Sequence, residues 1–285
     1  MEVDVAILGA GTAGLGAVRE VEKAGKSFVL VEPGPYGTTC ARVGCMPSKL
    51  LVAAAHAAHA LERAPLFGVH PGEARIDGAA VMKRVRDERD RFVGGVVRST
   101  EQIPEERRLR AAARFLDRNT LEVGDVRVRA RATVIATGSR PWIPPPWDGI
   151  RERVDTSDDV FEWTALPRGV AVVGTGIVAL ELGQALHRLG VEVAFFNPFD
   201  ELGPFTDPSL RAAARAILGA ELELHLGITE VEPRVTTDGV QVAWTEGGAR
   251  HERAFERVLV AAGRRADLDA LDLRATGLAL DARGR

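Results

Sequence analysis

Short apolar runs alternate with stretches of helical apolar spacing at the start of the chain, and the same alternation returns after residue 168. The run Val3-Asp4-Val5-Ala6-Ile7-Leu8 predicts a strand, the segment after Gly14 a helix to about Ala24, and Ser27-Phe28-Val29-Leu30-Val31 a second strand. Later, Val170 to Val173 predicts a strand, Leu180 to Leu189 a helix, and Val191 to Phe196 the next strand. Between these units, Leu51 to Leu61 and Ala79 to Thr100 read as helices. Arg114 to Thr137 reads as a run of strands closing on Ala136-Thr137-Gly138. Pro141-Trp142-Ile143-Pro144-Pro145-Pro146 can continue neither a helix nor a central strand and marks the exit from a first domain near residue 150. A second domain then runs to about residue 270, where Ala261-Ala262-Gly263-Arg264-Arg265 follows another buried strand.

Composition narrows the class. With 285 residues, 46% apolar and 27% charged, the chain has the make-up of a soluble globular protein of two ordinary domains. A net charge of -3 supplies no basic field for nucleic acid or an anionic membrane. No run approaches the roughly 18 apolar residues of a membrane span. Glu2 and Asp4 stand where a signal peptide carries positive charge, so a cytoplasmic location is expected.

Each strand–helix junction carries a glycine turn. In Gly9-Ala10-Gly11-Thr12-Ala13-Gly14, Gly9 permits the bend, Gly11 lets backbone approach a pyrophosphate, and Gly14 lets helix and strand pack closely. Glu32 ends the next strand 18 residues beyond Gly14, placed to accept hydrogen bonds from a ribose. Gly174-Thr175-Gly176-Ile177-Val178-Ala179 repeats the arrangement, with Ala179 in the last glycine position. Two such units in one chain imply two dinucleotides.

The two cysteines, Cys40 and Cys45, lie in Thr38-Thr39-Cys40-Ala41-Arg42-Val43-Gly44-Cys45-Met46-Pro47-Ser48-Lys49. In a reducing compartment such a pair points to catalysis or metal binding more than to a structural bridge. For zinc, His56 and His59 are the nearest further ligands, and their spacing is not a familiar zinc pattern. A regular helix carries residues five apart by about 7.5 Å along its axis, more than a disulfide spans, so a bridge would need an irregular turn, which Gly44 eases. Pro47 suits the first turn of a helix, and Lys49, four past Cys45, shares its face. With four lysines among 37 basic residues, arginine is the default cation here, so a lysine at this place is informative. Two buried reduced cysteines beside a surface lysine are the plain alternative.

At these residues the chain resembles the class I flavoprotein disulfide reductases, which include dihydrolipoamide dehydrogenase, glutathione reductase and mercuric reductase. The TTCxRVGCMPSK segment is most similar to that of dihydrolipoamide dehydrogenase-like members. The resemblance extends through Ala136-Thr137-Gly138-Ser139-Arg140-Pro141 and Ala262-Gly263-Arg264-Arg265. It implies an α/β fold of two Rossmann-like, three-layer ββα domains: 1–150 for FAD with a redox disulfide, 151–270 for NAD(P), and 271–285 as the start of a return into the first. By the same resemblance, Cys40 is the interchange thiol that meets a disulfide or dithiol substrate, Cys45 is the thiol beside the flavin, and Lys49 pairs with Glu181 near the flavin. The cofactor set it implies is Gly9, Gly11, Gly14, Glu32, Thr39, Lys49, Ala113, Thr137, Gly138, Gly174, Gly176, Ala179, Asn197 and Gly263, holding FAD and NAD, with no metal.

Three departures qualify the resemblance. Asn197 stands where NAD-preferring members carry an acid, and no arginine follows in Pro198-Phe199-Asp200-Glu201-Leu202-Gly203-Pro204; the balance points to NAD, with NADP left open. Ile177 occupies the place of the tyrosine gate of glutathione reductase-like members, while His56-x-x-His59 resembles some mercuric reductase-like chains. After a stretch like Gly277 to Arg285 the family continues into a dimerisation domain that supplies a His-Glu acid/base pair to a partner subunit. Its absence leads to the expectation of a truncated piece, weak or inactive alone, of a homodimeric enzyme. His187, His225 and His251 read as surface or satisfied residues. The competing readings are a mercuric or glutathione reductase-like enzyme and a non-catalytic dinucleotide-binding module.

Overall fold

The computed structural model describes residues 1–73, 75–279 and 281. It divides into two compact units, each assembled from separate stretches of sequence: 1–42, 89–140 and 264–285 form the first, and 43–88 with 141–263 the second. The folding units therefore differ from a single break near residue 150. Of the terminal stretch expected to begin a return into the first domain, Leu280 and residues 282–285 lie outside the described residues.

The first unit is built on the opening strand–helix–strand. Strand β1 (Glu2–Leu8) feeds helix α1 (Thr12–Lys23) and returns as β2 (Phe28–Val31), all four residues of which are buried. A short helix α2 (Thr39–Val43) follows, then β3 (Arg108–Leu109), β4 (Ala113–Phe115), β5 (Thr120–Val123) and β6 (Val126–Ile135). The sheet order is β3-β2-β1-β6-β5-β4, with β3, β2, β1 and β6 parallel and the last two pairings antiparallel. Val5 lies opposite Phe28 and Leu8 opposite both Val31 and Ile135, which aligns the ends of β1, β2 and β6 at the first glycine turn. One core joins Ala6, Leu8 and Val29 to Phe115, Leu121 and Val128, and also to Leu271 and Leu273 from the end of the chain.

The second unit opens with α3 (Cys45–Arg63) and the first half of α4 (Gly78–Glu101). After α5 (Pro145–Asp148) come β8 (Val154–Thr156), β9 (Gly169–Val173), α6 (Ile177–Arg188), β10 (Glu192–Asn197), α7 (Pro208–Gly219) and β11 (Glu223–Leu226). Strands β12 (Thr229–Thr236), β13 (Gly239–Glu246) and β14 (Ala249–Phe255) form an antiparallel sheet that precedes β15 (Arg257–Val260). The parallel sheet has the order β11-β10-β9-β15-β8. Its central strand β9 is buried along its whole length, as a parallel strand covered on both faces requires.

Residues 43–88 join this unit because of what α3 buries. Leu51 and Ala55 of α3, with Met82 and Val85 of α4, share one core with Leu182, Ala185 and Leu186 of α6. Leu51 is fully buried, and burying one leucine contributes about 1.5–3 kcal/mol. A two-stranded ribbon of β7 (Ser139–Pro141) and β16 (Arg264–Ala266) completes the fold; Arg264 donates from Nε to Ser139 Oγ at 2.9 Å.

Candidate functional site

The two glycine turns show which of their glycines the protein itself requires. Gly9 has φ +108, and a Cβ there would lie 2.3 Å from the carbonyl oxygen of Ala136. A Cβ on Gly14 would lie 1.8 Å from the carbonyl oxygen of Gly9. Gly11 differs: its φ is -78 and a Cβ would meet nothing within 4 Å. Gly174 (φ +104, 2.8 Å from the Ala261 oxygen) and Gly176 (nothing within 4 Å) repeat the contrast. Packing thus accounts for Gly9, Gly14 and Gly174, whereas Gly11 and Gly176 leave a cradle that a Cβ would fill. That is the shape a pyrophosphate approaching a helix N-terminus needs. Ala179 is fully buried in the core, and close helix–strand approach falls instead to Gly183, whose Cβ would lie 2.2 Å from the Phe195 ring.

Around the first turn, Glu32 Oε2 accepts from Ala10 N at 2.8 Å and Oε1 from Gly34 N at 2.9 Å. A carboxylate has about four lone-pair sites, so both oxygens keep acceptor capacity for a ribose. Gly138 has φ +75 and its carbonyl accepts from Asp267 N, while Thr137 follows the Ala136 carbonyl that abuts Gly9. Ala113 is buried in β4, paired with Val123, so its contribution toward a ligand would come through the backbone.

Thr38, Thr39 and Cys40 lead into α2 in the first unit. Thr38 adopts φ +57, a left-handed conformation unusual for a β-branched residue, and its Oγ1 accepts from Ala41 N at 3.1 Å while its carbonyl accepts from Arg42 N. Thr39 is the first residue of α2 and Cys40, half-buried, the second. The cap at Thr38 escaped the sequence reading, although a threonine three residues before a helical N–H is a recognisable cap signal.

Cys45 opens α3 in the second unit and is exposed. Gly44, at φ -131 and ψ -117, separates the two helices, so the cysteines do not share one regular helix. Pro47 falls among the first helical residues, whose N–H groups have no intrahelical partner, and Ser48 N makes a first-turn bond to Gly44 O at 3.1 Å. A polar chain then leads away from Cys45. Ser48 Oγ donates to the Cys45 carbonyl at 3.3 Å, and Lys49 Nζ lies 3.4 Å from Ser48 Oγ and donates to Glu181 Oε1 at 2.6 Å. Burial pushes the Glu181 carboxyl up, but hydrogen bonds from Lys49 and Ser48 together with the lysine charge outweigh it and hold the carboxyl below its ordinary value. Ser48 is a site residue that sequence reasoning missed; its only signal was its place between Pro47 and Lys49.

Asn197 ends β10 with its amide turned inward. Nδ2 donates to Thr175 Oγ1 at 2.6 Å and to Glu201 O at 3.1 Å, and Oδ1 accepts from Phe199 N at 3.2 Å. With the residue 8% exposed, these bonds brace the second glycine turn, and Oδ1, accepting one hydrogen bond, keeps a second acceptor site. Gly263 has φ +117, which explains a glycine there, and its carbonyl accepts from Trp142 N at 3.0 Å. Among the described residues no group of three or more His, Cys, Asp or Glu is arranged to hold a metal ion, and no helix is long and apolar enough to cross a membrane.

Comparison with known proteins places these features in context. Residues 3–285 match the family described as pyridine nucleotide-disulphide oxidoreductase. The chain is 30% identical to dihydrolipoyl dehydrogenase of Haloferax volcanii, over 99% of this chain and 61% of that protein. It is 32% identical to dihydrolipoyl dehydrogenase of Thermus scotoductus over the same shares, and 28% identical to a mercuric reductase of Lysinibacillus sphaericus, over 96% of this chain and 50% of that protein. It therefore spans one half to three fifths of the length of these relatives. The solved Cu(II) complex of the HOCl-induced flavoprotein disulfide reductase RclA from Escherichia coli superposes with a TM-score of 0.83. That match covers 100% of this chain and 62% of that one at 22% identity, a likeness of fold. On the match over residues 3–285, the chain belongs to the pyridine nucleotide-disulphide oxidoreductase family, whose members bind FAD and NAD(P).

Proposed function

We propose that this chain carries the dinucleotide-binding and redox parts of a cytoplasmic, homodimeric FAD-dependent disulfide oxidoreductase acting on a lipoyl-type dithiol or disulfide. The observation that carries the reading is the Lys49–Glu181 pair, linked through Ser48 to the backbone carbonyl of Cys45, which a plain nucleotide-binding module does not need. In this reading the cradle at Gly11 and the carboxylate of Glu32 hold FAD, with Thr39, Thr137 and Gly138 along its length, and the cradle at Gly176 takes NAD(H). Bound flavin would supply the exchange of a hydride with nicotinamide for an electron pair delivered to the cysteines.

The chain's own residues do the sulfur chemistry. With both cysteines reduced, Cys40 Sγ attacks a substrate disulfide, forming a mixed disulfide and expelling one substrate thiol. Cys45 Sγ then attacks Cys40 Sγ, which breaks the mixed disulfide and expels the second thiol. Two protons and two electrons pass from the protein dithiol to the substrate, leaving a Cys40–Cys45 disulfide; a dithiol substrate runs the sequence backwards. Lys49, oriented by Glu181, keeps a cation on the face of α3 that carries Cys45, where negative charge forms on sulfur.

Because the chain holds just two cysteines, thiol counting tests the reading without turnover. Titration with a chromogenic disulfide should find two thiols in the reduced protein and none after oxidation with diamide, which takes two electrons and two protons from the dithiol. Two thiols persisting in the oxidised sample would overturn the reading. NADH- and NADPH-dependent assays of the FAD-loaded chain with lipoamide, glutathione disulfide and Hg²⁺ then separate the dihydrolipoyl dehydrogenase-like reading from the glutathione and mercury branches.

A further inference from the structure

We propose that the Asp200–Arg215 ion pair sets a preference for NAD over NADP, acting in place of the strand-end acid and the arginine clamp that the sequence lacks around Asn197. The inference rests on the reading that the second glycine turn takes a nicotinamide dinucleotide.

Asn197 occupies the strand end at which cofactor choice is ordinarily made, but its amide is bonded to Thr175, Phe199 and Glu201. A neutral amide neither repels nor clamps a 2′-phosphate, so charge nearby is what can discriminate. The loop after β10 is sewn onto the glycine turn: Thr175 Oγ1 donates to Glu201 O at 2.6 Å and Gly203 N donates to Thr175 O at 2.8 Å. Asp200, one residue before Glu201, is therefore held beside the turn. Arg215, on α7, reaches back to pair with its carboxylate. Arg211, four residues earlier on the same helix face, donates to Thr206 O at 3.1 Å, so two guanidinium groups border this loop. The acid at the start of α7, Asp207, accepts from Ser209 N and Leu210 N and serves as the helix cap. Side-chain exposures of 69% for Asp200 and 52% for Arg215 leave the pair open to a ligand.

A ribose 2′-hydroxyl is a neutral donor that a carboxylate can accept. A 2′-phosphate brings roughly two negative charges, which Asp200 repels, while Arg215 is already neutralised by that same carboxylate. Removing the Asp200 charge leaves a guanidinium whose planar fork matches phosphate.

The full-length chain is titrated with NAD⁺ and with NADP⁺ by calorimetry. Wild type should bind NAD⁺ more tightly. D200N should shift the ratio of dissociation constants toward NADP⁺ by about tenfold or more, and D200N/R215Q should lose that shift. Circular dichroism melts confirm that the surface variants fold. A ratio within about twofold of wild type in D200N, a gain that survives R215Q, or wild-type preference for NADP⁺ overturns the proposal while leaving nucleotide binding intact. Failure of wild type to bind either nucleotide overturns the reading of the turn as well.

Discussion

Lys49 of α3 and Glu181 of α6, 132 positions apart in sequence, form an ion pair of 2.6 Å within the second unit. The lysine side chain is 63% exposed, so the pair contributes only about 0–1 kcal/mol to stability, less than the burial of Leu51 on the same helix. Packing fixes α3 against α6, and the ion pair fixes the lysine. Glu181→Gln should accordingly change stability by no more than about 1 kcal/mol and yet, on the proposed function, lower the disulfide reductase turnover of the FAD-loaded protein by about tenfold or more. Comparison of urea midpoints with turnover checks this; a variant that loses stability and keeps its rate would reverse the assignment.

The glycine turns predict opposite outcomes for neighbouring substitutions. Gly14→Ala drives a Cβ into the Gly9 carbonyl and should destabilise the first unit by about 3 kcal/mol or more. Gly11→Ala meets open space, so its melting temperature should stay near wild type while FAD retention, read from absorbance after gel filtration, falls.

Asn197→Asp introduces an acid at the strand end, but it removes the donor that Thr175 Oγ1 and the Glu201 carbonyl accept. An expected loss of about 1–3 kcal/mol follows from a buried acceptor facing acceptors. Denaturant unfolding at pH 7 measures it, and unchanged stability would show that the amide is not a structural brace.

Glu221 provides the acid-side prediction. Arg188 donates to it from Nε at 2.5 Å and from Nη2 at 3.0 Å, and Gln184 donates at 2.7 Å. The Arg188 hydrogen bonds outweigh burial and, with Gln184 and the charges of Arg188 and His59, hold the carboxyl below its ordinary value. A lowered folded value means stability that is fully present above the unfolded glutamate value of about 4.3 and lost as pH falls through the lower folded one. Arg188→Ala should reduce stability at pH 7 by about 1–3 kcal/mol and flatten its decline between about pH 5 and 3. Melts across that range in both proteins test the sign.

Much of the fold was legible because two local signals coincided. The buried runs that became β1, β2, β9 and β10 are continuous in sequence, and each glycine turn marks a strand–helix junction. The helix expected from Leu51 begins at Cys45 because Pro47 and Ser48 form its first turn, which an apolar period does not register. Two features were illegible for physical reasons. Periodicity shows that Leu51 and Ala55 face a core, not that the core belongs to α6. Likewise, an asparagine at a strand end reads as a ligand group, and nothing in its sequence neighbours announces that it also bonds Thr175, Phe199 and Glu201.

Leu271 and Leu273 complete the core that holds β1 and β4, and Asp267 N closes onto the Gly138 carbonyl. During translation, then, the sheet begun by β1 and β2 cannot reach its finished packing until the ribosome has released the chain through Leu273. Nascent β1 and β2 must wait with apolar sides uncovered, which makes this early interval the one in which a chaperone matters most to yield.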